Sequence, residues 1–317
     1  MASIDTKGVF IISDVRDATL NNIWVPQGWN YGWFAGGASP TISTIDRISF
    51  NSDTVTAIKR STLTTETHGV AGAGVNFTDG WFCGGVGPAI KSTVNRMIFS
   101  SDDLTAVAKG PLTASRYEAA GVGNTTDGWV LGGSNPVNTP ISTTNRIIFA
   151  SDTSTAVAKG VLSSAREALP GISNPTNGWA AGGRTPSSVS IVDRIIFASD
   201  TSTAAAKGPL TVASHGGAGV HNNSSDGWVA VGRGPAALST VNRIIFASDT
   251  SSAVAKGPLT VVNDFFSGKS NSTDGWFGGG ASPSTNSRVD RIIFASDTST
   301  ATAKGPLSTA RYSAGSA

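Results

Sequence analysis

One eleven-residue motif recurs along this 317-residue chain with almost no change. The sequence Arg-Ile-Ile-Phe-Ala-Ser-Asp-Thr-Ser-Thr-Ala begins at Arg146, Arg194 and Arg291, and close variants begin at Arg47, Arg96 and Arg243. A Gly-Trp pair recurs in phase with it, at intervals of 48 to 50 residues. The chain is therefore built from six copies of one unit, and any fold must place these copies in equivalent environments.

The repeat period predicts an all-β architecture. No copy contains a helical hydrophobic pattern, while 38 glycines and a charged fraction of only 14% are typical of tight turns and short strands. Repeats of about 40 to 50 residues with this character are typical of propeller blades. We therefore expect one closed array of six blades, despite a length that would ordinarily suggest two domains.

Each copy divides into four strands. In the third copy, residues 116–123 form a small-residue strand, 128–133 a strand ending in Gly-Gly, 142–149 a polar-apolar strand and 155–159 a short outer strand. The first strand is predicted to be the innermost, because blades converge at the axis and leave room only for small side chains. Each blade is thus a four-stranded antiparallel sheet.

The two ends of the chain predict how the ring closes. The first Gly-Trp pair has no ordinary small-residue strand before it, whereas the last copy is followed by residues 307–317, which match the start of an inner strand. We expect this C-terminal strand to complete the first blade and remove two open sheet edges. Residues 28–317 then form the propeller, and residues 1–27 form a non-repeat N-terminal attachment arm. The apolar residues assigned to attachment are Val9, Phe10, Ile11, Ile23, Trp24 and Trp29.

Two repeated columns are interpreted as structural. Large aromatic side chains are needed where blades diverge from the axis, so we expect the tryptophans to wedge neighbouring blades apart. An arginine half-buried on the third strand must find carbonyl groups or an acid of the next blade, so we expect a ring of ties between blades. The two columns are Trp33, Trp81, Trp129, Trp179, Trp228 and Trp276, and Arg47, Arg96, Arg146, Arg194, Arg243 and Arg291.

Residues that could support catalysis are sparse. The three histidines lack the spacing of metal ligands, and Cys83 is interpreted as a core residue. Glu66, Glu118 and Glu167 precede the inner strands of adjacent blades, which places acids near one rim of the channel. The aspartates before the Gly-Trp pairs are interpreted as Asx-type turn residues. We expect a protein that is not an enzyme and that uses no cofactor or metal; a glycan-active enzyme is a distant alternative.

The basic residues do not predict a nucleic-acid partner. The formal net charge is only +2, and twelve of the basic residues belong to two columns repeated around the ring. No basic cluster is interleaved with aromatic residues, and no apolar run approaches the length of a membrane span. We therefore expect neither nucleic-acid binding nor membrane insertion.

The copies differ most in two segments, the loop after Gly-Gly and the segment that leads into the inner strand. In a four-stranded blade both emerge at the same end of the ring, which is the usual arrangement for a binding surface carried on loops. Relaxed drift in solvent-exposed loops is the alternative interpretation. The residues predicted to contact a partner are Arg184, Arg233, Arg288, Phe265, Phe266 and Lys91.

The motifs resemble two groups of repeat proteins. A glycine pair after an aromatic strand resembles the kelch repeat across residues 28–317, although the usual strand-four tryptophan is missing. Residues 32–37, 290–295 and 305–312 more closely resemble repeat proteins among the virion proteins of marine cyanobacterial phages. Those proteins also tend to begin with a short non-repeat leader, which residues 9–24 resemble.

The resemblance implies a virion appendage, on the tail fibre or the capsid surface. The arm would then bind other virion proteins, the variable loops would contact a host-surface glycan or protein or another virion protein, and the particle could hold a homo-oligomer. A cellular lectin-like or scaffold propeller that binds glycans or proteins is the alternative function.

Overall fold

The structure, a computed structural model, describes residues 30–74 and 77–317. These residues form 24 strands in six four-stranded antiparallel sheets, arranged as the blades of a ring. The predicted all-β, six-bladed propeller is confirmed. The predicted attachment arm lies outside the described residues, and so do its members Val9, Phe10, Ile11, Ile23, Trp24 and Trp29.

The first three blades follow the predicted strand order from the axis outward. Blade one contains β24 (Gly315–Ser316), β1 (Tyr31–Ala35), β2 (Thr44–Ser49) and β3 (Ile58–Thr62). Blade two contains β4 (Ala71–Ala73), β5 (Asp79–Cys83), β6 (Val94–Ile98) and β7 (Val107–Lys109). Blade three contains β8 (Ala120–Gly123), β9 (Asp127–Leu131), β10 (Thr144–Ile148) and β11 (Val157–Lys159).

The other three blades repeat this order. Blade four contains β12 (Gly171–Ser173), β13 (Asn177–Ala181), β14 (Val192–Ile196) and β15 (Ala205–Lys207). Blade five contains β16 (Ala218–His221), β17 (Asp226–Ala230), β18 (Val241–Ile245) and β19 (Val254–Lys256). Blade six contains β20 (Ser267–Ser270), β21 (Asp274–Gly278), β22 (Val289–Ile293) and β23 (Thr302–Lys304). A three-residue 3₁₀ turn follows each third strand: Phe50–Ser52, Phe99–Ser101, Phe149–Ser151, Phe197–Ser199, Phe246–Ser248 and Phe294–Ser296.

The C-terminus closes the ring as predicted. Strand β24 pairs antiparallel with β1, with Gly315 opposite Ala35. Trp33 and Ala317 also exchange two backbone hydrogen bonds, of 2.9 and 3.0 Å. The first blade therefore contains strands from both ends of the described chain, and β1 is not left as an unpaired sheet edge.

Small residues on the inner strands are required by the approach of neighbouring blades. A Cβ atom on Gly121 would overlap the carbonyl oxygen of Gly72 in the preceding blade. Gly171 and Gly219 meet the preceding blade in the same way. The equivalent position in blade one is Ser316, whose hydroxyl donates to the Gly268 carbonyl at 2.7 Å. The inner strands of neighbouring blades thus pack backbone against backbone around the axis.

A girdle of aromatic and charged residues joins each blade to the next. Each second-strand tryptophan is buried and stacks on the phenylalanine that begins the 3₁₀ turn of the following blade, with ring centroids 3.9–4.6 Å apart. The pairs are Trp33 with Phe99, Trp81 with Phe149, Trp129 with Phe197, Trp179 with Phe246, Trp228 with Phe294 and Trp276 with Phe50. The last pair carries the girdle across the seam where the ring closes.

The aspartate after each 3₁₀ turn lies against the preceding blade and interacts with its polar and basic side chains. Asp200 accepts a hydrogen bond from Trp129 Nε1 at 2.8 Å and lies 3.0 Å from Lys159 Nζ and 3.8 Å from Arg146. The same carboxylate site recurs in every blade, as Asp53, Asp102, Asp152, Asp200, Asp249 and Asp297. The repeated arginines therefore bridge neighbouring blades through this turn aspartate. Arg96, Arg146 and Arg243 also pair, at 2.8–2.9 Å, with the aspartate before the Gly-Trp pair of their own blade.

The aspartates before the Gly-Trp pairs differ from the prediction. In blade three the Asx turn is made by Asn124, whose Oδ1 accepts the backbone N–H groups of Thr126 and Asp127. Asp127 instead accepts from Arg146 Nε at 2.9 Å. The asparagine two residues before the threonine has the right backbone offset for a turn, which leaves the aspartate free to tie the second strand to the third.

Candidate binding face around the channel mouth

The two variable segments of each blade meet at one end of the ring. Isolated antiparallel bridges join the segment before the inner strand to the loop after Gly-Gly, as predicted from blade topology. The bridged pairs are Ala38 with Tyr312, His68 with Val86, Tyr117 with Ser134, Glu167 with Arg184, and His215 with Arg233. We call this end, formed by these segments and loops, the loop face.

A closed circle of backbone hydrogen bonds surrounds the axis at the loop face. One residue of each blade adopts a left-handed conformation, with φ between 51° and 64°, and its N–H donates to the carbonyl of the equivalent residue in a neighbouring blade at 2.6–2.9 Å. These six residues, the mouth ring, are Gly69, Glu118, Ala168, Gly216, Phe265 and Ser313. Because four of them are not glycine, the hydrogen bonds hold a conformation that side chains disfavour. The ring fixes the positions of the side chains around the channel.

Two glutamates and an arginine form the centre of the loop face. Arg184 Nε donates to Glu167 Oε1 at 2.6 Å, and its Nη2 lies 3.6 Å from Glu118 Oε2. Glu118 belongs to the mouth ring of blade three, whereas Glu167 and Arg184 belong to blade four. Arg184 is therefore held between two carboxylates from neighbouring blades.

Glu118 is perturbed by this position. Burial raises the pKa of Glu118 to about 7, with the Arg184 charge opposing the shift and the nearby Glu167 adding to it. A carboxyl group removed from water favours its neutral form, and a neighbouring carboxylate favours it further. Near neutral pH this residue can accept or donate a hydrogen bond, depending on its protonation.

A second ion pair and an aromatic cluster extend the site across blades five and six. Arg233 Nε donates to Asp264 Oδ2 at 2.6 Å, and the Asp264 side chain is 1% exposed. The Phe265 ring packs edge-on against His215, with ring centroids 5.8 Å apart, and against Tyr312, at 6.4 Å. The loop face thus places an aromatic surface beside paired charges.

His215 is held as a neutral ring in this cluster. Its Nδ1 lies 2.8 Å from the Ser188 hydroxyl of blade four. Burial lowers the pKa of His215, and the charges of Arg184 and Arg233 lower it further. A neutral imidazole has one donor and one acceptor nitrogen, so His215 adds polar capacity to the face without adding charge.

The arginines predicted as contact residues are largely compensated. Arg184 is paired with two glutamates and Arg233 with Asp264, while Arg288 donates to the Thr260 hydroxyl at 2.9 Å. Their side chains remain 34%, 49% and 39% exposed. They can still reach a ligand, but the first two present a nearly neutral field rather than a positive patch.

Two other predicted contact residues, Phe266 and Lys91, are engaged in contacts within the protein. Phe266 is 5% exposed and packs against Phe277 in the core of blade six, so it does not lie on the loop face and is removed from the contact set. Lys91 donates three hydrogen bonds of 2.6 Å within its own blade, to Thr65, to Thr67 and to the Glu66 carbonyl. Burial lowers the pKa of Lys91, with Glu66 opposing the shift. Its ammonium supports a loop.

Sequence reasoning missed Asp264 and His215 as members of the site. Both occupy the same structural position of the repeat. In three other copies the residue before this position is a buried arginine: Arg116, Arg166 or Arg311. Each of these arginines donates to carbonyl groups of its own blade. The signal was available, because this position contains His68, Tyr117, Glu167, His215, Asp264 and Tyr312 and so differs strongly among copies. Within the described ranges, no group of three potential metal ligands is assembled and no helix is long and apolar enough to cross a membrane.

Comparison with known proteins supports the fold and goes no further. No protein-family model and no curated protein matches the sequence. Among solved structures, the chain is similar to YjhT, with a TM-score of 0.63 and 11% sequence identity over 80% of this chain and 88% of that chain. At this identity the likeness shows a six-bladed β-propeller, which is compatible with a binding or scaffold role.

Proposed function

We propose that this chain is a non-enzymatic binding module whose loop face contacts its partner, and that it serves as a structural appendage of a phage virion. The observation that carries the binding half is the distribution of differences among the six copies. At the girdle position every copy has tryptophan, whereas the loop-face position after the buried-arginine site holds histidine, tyrosine, glutamate or aspartate.

This contrast argues against drift alone. Relaxed drift would replace residues at the loop face without regard to one another, whereas Arg184 and Glu167, and likewise Arg233 and Asp264, form complementary pairs. Paired charges beside the exposed part of an aromatic cluster give both hydrogen bonding and apolar contact, which are the features of a specific interface. The loop face is therefore the surface we assign to the partner.

The arrangement of the carboxyl groups supports the proposed non-enzymatic role. Glycoside hydrolysis uses two carboxyl groups that face each other across the scissile bond. Here Arg184 lies between Glu118 and Glu167 and makes contacts of 3.6 and 2.6 Å to them. The acids are engaged by a guanidinium, which suits recognition better than proton transfer.

The virion setting rests on the sequence motifs. The resemblance of residues 290–295 and 305–312 to phage repeat proteins, together with the non-repeat residues 1–27, supports an appendage anchored by its N-terminal arm. A host-surface glycan or protein, or another virion protein, would then be the partner at the loop face. A cellular lectin-like or scaffold propeller is the second candidate, since Phe265 and Tyr312 beside carboxylates would also suit a neutral glycan.

The binding half is tested with purified protein on a printed array of neutral and acidic glycans and on intact cyanobacterial cells. Substituting Arg184, Arg233 and Arg288 together by glutamine should lower binding at least about tenfold. Substituting the exposed turn residues Thr125 and Ser224 by alanine, at the opposite end of the ring, is the matched control and should leave binding unchanged. Equal binding by the arginine variant would remove the loop face as the contact surface.

The virion half is tested separately, by protein mass spectrometry of purified particles from a phage that encodes the chain. We expect the full chain in particles, and we expect a chain lacking residues 1–27 to fold but not to be incorporated. Absence of the full chain from particles would leave the cellular propeller as the better assignment, whatever the binding result.

A further inference from the structure

The axis of the propeller contains a cavity of about 280 Å³ that the loop-face site does not use. The inner strands line it, and at one end it reaches the residues just below the mouth ring, including Val70 and Leu169. At the other end it is lined by Asn222 and Asn271, in the turns that precede the second strands. Glycine, alanine and serine make up most of its wall between these ends.

Lys269 in β20 breaks the pattern of this wall. The position directly opposite the girdle tryptophan on the inner strand is small or apolar in the other five blades: Ala73, Val122, Ile172, Val220 and Ala317. The Lys269 stem occupies the same space, since a Cβ on Gly32 of blade one would lie 3.0 Å from Lys269 Cγ. One seam of a six-fold scaffold thus carries a cation where its five counterparts carry none.

The Lys269 ammonium has no counter-ion in the described part of the chain. Five other lysines pair with a girdle aspartate: Lys109, Lys159, Lys207, Lys256 and Lys304. Burial lowers the pKa of Lys269 to about 8, and no neighbouring carboxylate opposes this shift. Lys269 is partly exposed and lines the cavity, and an ammonium there without a carboxylate partner is a group ready for an anion.

His221 of the neighbouring blade lines the same cavity. Burial lowers the pKa of His221 to about 3, and the Lys269 charge lowers it further, so its ring is neutral near pH 7. Its Nδ1 has no hydrogen-bond partner among the described residues. The equivalent residue is Gly74, Gly123, Ser173 or Ser270 in other blades, so His221 is a second departure from the repeat, next to the first.

We propose that the axial cavity binds a small oxyanion, such as inorganic phosphate or the carboxylate of an organic acid, with Lys269 as its charge partner. An anion would supply the compensating charge that Lys269 lacks, and the hydroxyl and amide groups of the cavity wall can donate further hydrogen bonds. A cationic ligand is disfavoured because no carboxylate is among the residues that line the cavity. This site is independent of the loop face.

The experiment is calorimetric titration of the full chain with sodium phosphate, with sodium acetate as the carboxylate arm and sodium chloride as the ionic-strength control. The expected result is saturable binding of phosphate or acetate at one site per chain, and no comparable signal with chloride. Lys269→Val is the informative variant, because it reproduces the residue that blade five carries at this position, Val220, and should therefore fold. It should lose at least about tenfold in affinity, since a charge-assisted contact is removed.

Lys59→Val removes an exposed lysine from the outer strand of blade one and serves as the charge-matched control, with unchanged affinity expected. In the absence of added anion, Lys269→Val should melt at a higher temperature than the native chain, since an uncompensated charge is replaced by an apolar side chain. Equal affinity in the native and Lys269→Val chains, no saturable binding in the native chain, or a lower melting temperature for Lys269→Val would each overturn the proposal.

Discussion

The girdle and the loop face are built on the same six blades but follow opposite rules. In the girdle each blade repeats one set of contacts, in which a tryptophan stacks on the next blade's phenylalanine and a turn aspartate accepts from the preceding blade. At the loop face the contacts between blades differ: Arg184 meets Glu118 between blades three and four, whereas Arg233 meets Asp264 between blades five and six. The repeated girdle contacts hold the ring closed, and the variable contacts make the loop face different from the rest of the ring.

The comparison shows where a repeat protein can tolerate change. A girdle tryptophan is wedged between two sheets and stacks on a fixed phenylalanine of the next blade, so a smaller residue leaves a cavity. Loop-face side chains are positioned by the mouth ring through backbone N–H and carbonyl groups, which every residue except proline supplies. Side chains at the loop face are therefore free to specialise while the backbone geometry stays the same.

Opening the ring should have the largest effect. Deleting residues 308–317 removes β24 and Arg311, which donates to the Thr44 carbonyl and pairs with Asp46 at 3.0 Å. We expect loss of cooperative thermal unfolding and aggregation through exposed sheet edges, measured by calorimetry and light scattering. Deleting residues 1–27 is the matched truncation and should leave melting intact; a monomeric, cooperatively melting C-terminal deletion would contradict the closure.

Truncating one girdle residue should be the next largest effect. Trp129→Ala removes the stacking on Phe197 and the hydrogen bond to Asp200, and we expect a loss of about 3–5 kcal/mol in the free energy of unfolding. The loop-face counterpart, Tyr312→Ala, should cost about 1 kcal/mol or less because its ring is only half-buried. Urea denaturation measures both, and equal losses would erase the distinction between the two regions.

The protonation of Glu118 should make stability depend on pH through the loop face. Its pKa is raised in the folded chain from 4.5 to about 7, so its contribution is present in full below pH 4.5 and is lost as pH rises through about 7. We expect a loss of about 3 kcal/mol across this window. Glu118→Gln should flatten the profile and the exposed Glu66→Gln should not; parallel profiles for all three proteins would refute this assignment.

The smallest predicted effect compares two girdle tryptophans. Trp129 Nε1 donates to Asp200 at 2.8 Å, whereas Trp81 Nε1 has no hydrogen-bond partner in the part of the chain that the structure describes. Trp129→Phe should therefore cost about 1 kcal/mol more than Trp81→Phe, which is the net contribution of one hydrogen bond. Chemical denaturation of the two variants gives the difference directly, and equal costs would show that the aspartate does not depend on the indole donor.

The sequence predicted the parts of this protein that repeat. The recurrence of Gly-Trp and of the eleven-residue motif was sufficient for six four-stranded blades, for small inner strands and for closure by residues 307–317. It also placed the variable loops at one end of the ring. These features follow from local propensity and strand alternation, and the same pattern is present in each of the six copies.

The tertiary structure determined which side chains meet between neighbouring blades. Phe265 and Phe266 are adjacent and identical in type, yet one joins the mouth ring at φ 51° and the other turns into the core against Phe277. The girdle aspartates of blades two to six meet partners in the preceding blade that are 41 to 71 residues away, and Trp276 meets Asp53 across 223 residues. Such contacts depend on how rigid sheets are stacked around an axis. The charge balance of the loop face and the unpaired Lys269 therefore became visible only in three dimensions.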